Sequence, residues 1–208
     1  METLRISPKY TAEHWRKLEK NKAEHWPEAA KIVRDRLHGR FVHFADKCLQ
    51  DVYSGFVVLS IDCLLVETLQ QFIDGITYGT GQAKRLCKEF LKGPRFQPDF
   101  AVDATRLAFY LDIRCGLLHQ AEAKNKWLVR RKQKELLKTV DADGYIIDVE
   151  QFHAAVQGSL DDYLAELCKP SSTDLRDKLW TKMDHICNIR ESRGAMETLD
   201  AAAADPTA

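Results

Sequence analysis

One charged residue inside a short apolar run places the strongest restriction on how this chain can fold. Residues 109–120 read Phe-Tyr-Leu-Asp-Ile-Arg-Cys-Gly-Leu-Leu-His-Gln, a helical pattern in which large apolar side chains surround Arg114. A half-buried arginine is costly unless it meets an anion or a hydrogen-bonding partner. The fold must therefore supply Arg114 with a partner, either from another part of the chain or from a ligand.

His119 follows Arg114 by five positions, and Gly116 lies between them. Histidine gains or loses a proton near neutral pH, so the two residues could together hold a phosphate and move a proton beside it. A glycine inside a helix costs roughly 1 kcal/mol relative to alanine, which indicates the close approach of a phosphate or of a partner helix. The spacing alone is not specific, because Arg36 and His43 form a similar pair in a less apolar setting.

Together with the apolar helical run at 55–72, the segment at 109–120 resembles a HEPN domain of the prokaryotic kind. The resemblance covers roughly residues 30–190, and only the helix that carries Arg114 and His119 is specific. It implies a helical bundle that dimerises. Many members are metal-independent ribonucleases of toxin–antitoxin and anti-phage defence systems, so it also implies RNA as substrate and a cognate antitoxin or defence-system protein as partner. The family's Arg-x(4–6)-His motif maps onto these two residues.

Two positions depart from the family pattern. Cys115 follows the arginine directly, where many active members have a polar residue. Ala121 stands two positions after the histidine, where some members carry a tyrosine that is modified to switch them off. The first departure leaves open a non-catalytic module that binds RNA, a nucleotide or a protein partner. The second argues against control by tyrosine modification.

Three carboxylates are candidate supporting residues. Asp62 and Glu67 lie on the apolar run at 55–72, and carboxylates in such a setting are usually paired or hydrogen-bonded. They either anchor Arg114 or a neighbouring helix terminus, or they orient Arg114 or His119 in a composite site. Asp112 lies two helical turns before His119 and either tunes that histidine or meets a lysine on a neighbouring helix.

The charge is balanced overall, with 31 basic and 31 acidic residues, which argues against non-specific coating of nucleic acid. A basic segment nevertheless follows His119 and would suit an RNA backbone. The alternative is a solvated hairpin whose charges balance the acidic segment after it. The candidate RNA-binding residues are Lys124, Lys126, Arg130 and Arg131.

Several other classes of site lack a signature. The histidines show no HxxxH or HExxH spacing and the six cysteines no metal spacing, so we expect neither a metal nor a cofactor. Glycine-rich phosphate-binding loops are also missing. Free cysteines indicate a reducing compartment, the cytoplasm. The apolar stretch at 56–66 is too short to span a bilayer and contains Asp62.

The hydrophobic period predicts an all-α, HEPN-like bundle with a small β-hairpin or three-strand insertion at about 127–148. We expect a single domain over residues 1–193 and a disordered tail over 194–208. The second predicted helix covers 26–37, stops near Gly39 and resumes to 49. Two further helices have alternative starts, one at 99 or 103 and ending at 120, the other at 148 or 150 and ending at 167. The remaining predicted helices cover 11–21, 54–75, 80–93 and 173–193. The predicted strands cover 127–130, 136–140 and 145–148.

Overall fold

The computed structural model describes residues 4–141 and 144–188, and this part of the chain is mostly helical with one small sheet. The predicted disordered tail lies outside the described residues. The helices are α1 Ala12–Arg16, α2 Trp26–Leu37, α3 His43–Cys48, α4 Gly55–Asp74, α5 Ala83–Phe90, α6 Asp103–Ala108, α7 Cys115–Gln120, α8 Val149–Leu167 and α9 Thr173–Cys187. The strands are β1 Trp127–Arg130, β2 Leu137–Asp141 and β3 Gly144–Asp148. Two π-helical segments, His38–Val42 and Phe109–Arg114, join α2 to α3 and α6 to α7.

Helix α4 is the central element and contacts α3, α5, α7, α8 and α9. Its inner face is fully buried and includes Leu65, Val66 and Phe72, and each such side chain contributes roughly 1.5–3 kcal/mol relative to exposure. Gly75 ends the helix with a φ of 70°, a left-handed conformation that glycine adopts without strain. The predicted helix at 54–75 is therefore confirmed.

By length and composition, α4 could also cross a membrane, contrary to the expectation that its apolar stretch is too short. Half of the apolar window of α4 is buried inside the protein, and other helices pack around this helix. Asp62, on its inner face, is fully buried and bonded to another helix. These contacts are those of a core helix.

An aromatic cluster fixes the continuous helix Asp103–Gln120, hereafter the motif helix, to the rest of the core. Phe109 stacks on Phe152 of α8 at a centroid distance of 5.1 Å and meets Trp127 of β1 edge-on at 6.1 Å. Phe100, just before the motif helix, contacts both Phe109 and Phe152. The motif helix is thereby held between α8 and the sheet.

The predicted β insertion is confirmed as a three-stranded sheet in the order β1–β3–β2. Strand β3 pairs in parallel with β1 and antiparallel with β2. Asp148, at the end of β3, is fully buried, and its carboxylate accepts the backbone N–H groups of Gln151 at 2.8 Å and Gln133 at 2.6 Å. It therefore caps α8 and ties the sheet to that helix.

The predicted stop near Gly39 is wrong, because the chain stays helical from α2 through the π-helical segment into α3. A side chain at Gly39 would approach the ring of Pro8 to 2.9 Å. The absence of a side chain at Gly39 therefore lets the N-terminal segment pack against the helix, and Gly39 does not end the helix.

Three predicted helix limits also differ from the structure. The first helix ends at Arg16 rather than at 21. The backbone after it is held in a turn, since the His25 side chain accepts the backbone N–H of Glu19 at 2.9 Å. Helix α5 begins at Ala83 rather than Thr80, since Gly81 has a φ of 74° that no helix contains. Helix α9 ends at Cys187, before the predicted limit, and residues 189–193 of the predicted helix lie outside the described residues.

Candidate functional site

The Arg114 side chain receives its partner from α4. Its Nε and Nη2 groups donate to the two carboxylate oxygens of Glu67, with Nη2 3.1 Å from Oε2. Both side chains are mostly buried, at 16% and 15% exposure. This two-point pairing is the strongest geometry available to an arginine and a carboxylate. Of the two predicted partners on α4, Glu67 is the anchor.

The surroundings keep the guanidinium charged and fixed in orientation. Burial opposes its charge, but the bonds to Glu67 outweigh burial and raise the pKa of Arg114 further above its ordinary value. The guanidinium carbon lies 5.7 Å from the centre of the Tyr110 ring, close enough for a cation–π contact. The Cys115 thiol interacts with the side chains of both Arg114 and Tyr110. The pKa of Tyr110 is raised mainly by burial and secondly by its hydrogen bond to this thiol.

His119 lies in a different environment, at the exposed C-terminal end of α7. Among the described residues it makes no side-chain hydrogen bond or ion pair. It lies five positions after Arg114, which corresponds to about 140° around an ideal α-helix. One chain therefore presents a fixed arginine and a solvent-accessible histidine without bonding them to each other.

Asp112 does not bond to His119 or to a lysine side chain. Its Oδ1 accepts the Asn125 side-chain amide at 2.7 Å, and its backbone carbonyl accepts the N–H of Lys124 at 3.0 Å. Both bonds tie the widened π-helical turn to the loop that returns from α7. Such π-helical turns are rare and often occur at functional sites.

Asp62 lies outside this site, contrary to the expectation that it could anchor Arg114. Its Oδ1 lies 2.7 Å from Nδ1 of His153 on α8, and Nε2 of that histidine lies 3.3 Å from Asp46 of α3. The other Asp62 oxygen is buried without a partner among the described residues. The sequence interpretation missed His153, for which the signal was its position between apolar residues of a helix.

The reason for Gly116 is found within the chain. A β-carbon there would overlap the backbone carbonyl oxygen of Glu122 and lie 3.2 Å from the Lys124 side chain. Ala121 ends α7 with a φ of 54°, and Glu122 then donates its N–H to the Gly116 carbonyl at 3.3 Å. This is a helix-ending arrangement that usually employs glycine at the left-handed position.

The four predicted RNA-binding residues are not equivalent. Lys126 and Arg130 are exposed, and Lys124 is half-buried against Gly116. Arg131 instead donates to Glu150 at 2.8 Å and to the backbone carbonyls of the loop after α3. Its guanidinium is thus engaged in holding β1 to that loop.

The second arginine–histidine pair is also separated. Arg36 donates to the backbone carbonyl of Ile6, and burial together with the nearby charge of Arg40 lowers its pKa to about 10. His43 is exposed. Across residues 4–141 and 144–188, no group of three or more His, Cys, Asp or Glu side chains is placed to hold a metal ion.

Comparison of the chain with models of protein families, with curated proteins and with solved structures finds no match.

Proposed function

We propose that this chain is a metal-independent endoribonuclease of a toxin or anti-phage defence type, with a HEPN-like fold and Arg114 and His119 as its catalytic residues. The observation that carries the proposal is the fixed, permanently charged Arg114 on the same helix as an accessible His119. The mainly helical architecture with a small sheet is compatible with the assignment. Cytoplasmic action and a cognate antitoxin or defence-system partner belong to the same proposal.

In the proposed reaction the 2′-hydroxyl of RNA attacks the neighbouring phosphate, leaving a 2′,3′-cyclic phosphate and a 5′-hydroxyl. His119 acts as general base or acid, for which an ordinary histidine pKa near 6.5 is suitable. Arg114 stabilises the negative charge that develops on the phosphate oxygens. Glu67 acts as a positioning residue, because its two oxygens accept from Nε and Nη2 of Arg114 and so fix the guanidinium.

One histidine cannot serve as base and acid at the same time, so we propose a homodimer that brings two pairs together. Exposed apolar side chains on the two helices of the site support this arrangement. Leu111 and Leu118, seven residues apart on the motif helix, are 47% and 46% exposed. Val57 and Leu64, also seven apart, are exposed on α4, which contacts α7. A second copy would cover these side chains.

The test is incubation of the purified protein with total RNA in the presence of EDTA. Wild type should cleave RNA, and a His119→Ala variant of equal stability should not. Light scattering at micromolar concentration should show a dimer, and a Leu118→Asp variant should shift it toward monomer. Wild-type RNA cleavage that stops in EDTA would contradict the metal-independent reaction.

A second candidate is a module that binds RNA, a nucleotide or a protein without cleaving RNA. The pairing with Glu67 favours it, because a carboxylate already neutralises the charge that Arg114 would offer to a phosphate. Under this candidate, RNA would be bound and recovered intact, with no difference between wild type and His119→Ala.

A further inference from the structure

A cleft of about 510 Å³ lies between the motif helix and the sheet. Its volume is within the range of small-molecule sites. The two lining residues with the smallest side chains, Ala104 and Ala108, come from one face of α6. The polar lining residues are Asp112, Asn125, Lys126 and Tyr145. None of these four has a role in the proposed cleavage reaction.

Several of the polar groups that line the cleft have no hydrogen-bond partner within residues 4–141 and 144–188. Asn125 occupies one oxygen of Asp112, whereas the other oxygen, Oδ2, has no partner in the described part of the chain. The same holds for the ammonium group of Lys126 and the hydroxyl group of Tyr145. A carboxylate, an amide and an ammonium group around one cavity can recognise a ligand with both N–H donors and negative charge.

Tyr145 supplies a rigid aromatic wall. Its ring stacks on Trp127 with centroids 4.6 Å apart, and Trp127 is only 4% exposed. The Tyr145 backbone N–H donates to the Lys126 carbonyl at 3.2 Å, so these two lining residues are held side by side. An aromatic side chain at the wall of a cavity can bind a nucleobase by stacking.

From this lining we propose that the cleft binds a guanine base of an RNA strand. Guanine presents two adjacent N–H donors, whereas adenine presents an acceptor beside its amino group. A carboxylate can accept the guanine pair with both oxygens. In Asp112, Oδ2 is open in the described part of the chain, and Oδ1 has a second lone pair beside the one that accepts Asn125. Asp112 accepts the guanine edge, Tyr145 stacks on the base, and Lys126 meets the phosphate. The base-binding part of the inference is independent of cleavage. Only the statement that the guanine belongs to a substrate strand rests on the proposed function.

The experiment is calorimetric titration of the full chain with GMP, AMP, CMP and UMP. Wild type should bind GMP at least about tenfold more tightly than AMP. Tyr145→Ala should weaken GMP binding at least about fivefold, the effect of one base stack, while the matched control Tyr78→Ala should not, since Tyr78 contacts His185 of α9 instead. Asp112→Asn, which keeps the shape of the side chain, should remove the preference for GMP over AMP.

Two outcomes would overturn the inference: no saturable GMP binding by wild type at millimolar concentration, or GMP affinity unchanged in both cleft variants. The exposed His119 separates the two proposals. His119→Ala should lower the rate of RNA cleavage by about a hundredfold or more and leave GMP affinity within about twofold of wild type. GMP binding by a protein that never cleaves RNA would retain the guanine site and remove only the ribonuclease.

Discussion

Glu67 of α4 and Arg114 of the motif helix form a mostly buried, two-point ion pair between residues 47 positions apart in the chain. The pair joins the central helix of the core to the helix that carries the proposed catalytic residues. It fixes the direction of the guanidinium and at the same time satisfies its charge.

Glu67→Gln should therefore destabilise the fold by about 1–3 kcal/mol, because it leaves a mostly buried guanidinium without its counter-charge. Urea unfolding measures the free energy of unfolding directly. The matched control is Glu28→Gln, which removes an exposed pair with Lys31 and should cost less than about 0.5 kcal/mol. Equal costs for the two variants would contradict an anchoring role for Glu67.

Gly116→Ala should destabilise the protein by about 1–3 kcal/mol, since the added methyl group overlaps the Glu122 carbonyl and the loop must move. The control is Gly55→Ala. Its added methyl group would meet Val129 and Val149 at 3.5 and 3.6 Å, an ordinary contact distance. That variant should be neutral or slightly stabilising by thermal unfolding, and a stable Gly116→Ala protein would refute the close approach.

The buried pair of His153 and Asp62 should make stability depend on pH. Burial lowers the pKa of His153, but its bonds to Asp62 and then the charge of Asp46 outweigh burial and raise that pKa above its ordinary value of 6.5. The protonated His153 therefore stabilises the folded state fully below about pH 6.5, and this stabilisation is lost as the pH rises through the folded-state pKa of His153. Burial also raises the pKa of Asp62, which acts in the same direction.

We therefore expect the free energy of unfolding of wild type to fall as the pH rises above about 6.5, measured by urea unfolding at several pH values. Asp62→Asn should flatten this dependence, because the neutral amide no longer favours the protonated histidine. His14→Gln, at an exposed histidine, should leave it unchanged. The groups that face His153 are Asp62, Asp46 and the amide side chain of Gln157, which itself donates to Asp46. An equally steep dependence in Asp62→Asn would contradict this assignment.

The sequence predicted the elements that depend on local pattern. The apolar period of α4, the three short strands and the need of Arg114 for a partner all follow from residues close together in the chain. The choice between Asp62 and Glu67 as that partner could not be predicted, because it depends on how α4 is rotated against α8 and the motif helix. The π-helical segment and the loop over Gly116 likewise arise from packing. The sequence alone therefore indicates a phosphate or a partner helix at this glycine, whereas the structure places the Glu122 carbonyl there.

Cys115 occupies the position after the proposed catalytic arginine and interacts with both Arg114 and Tyr110. If a polar group at this position aids catalysis, Cys115→Asn should maintain or raise the rate of RNA cleavage. Cys115→Ala serves as the control for loss of the thiol alone. A Cys115→Asn protein that folds normally and loses activity more than about tenfold would contradict this role.

The most direct test of the catalytic account is the initial rate of cleavage of one defined RNA in EDTA, together with identification of the product ends. Wild type should leave 2′,3′-cyclic phosphate and 5′-hydroxyl ends. Arg114→Ala and His119→Ala should each lower the rate by about a hundredfold or more. His43→Ala should leave it unchanged, and Arg36→Ala should retain the chemistry although it loses a bond to the Ile6 carbonyl. Equal RNA turnover by wild type and by a folded His119→Ala protein would contradict the account.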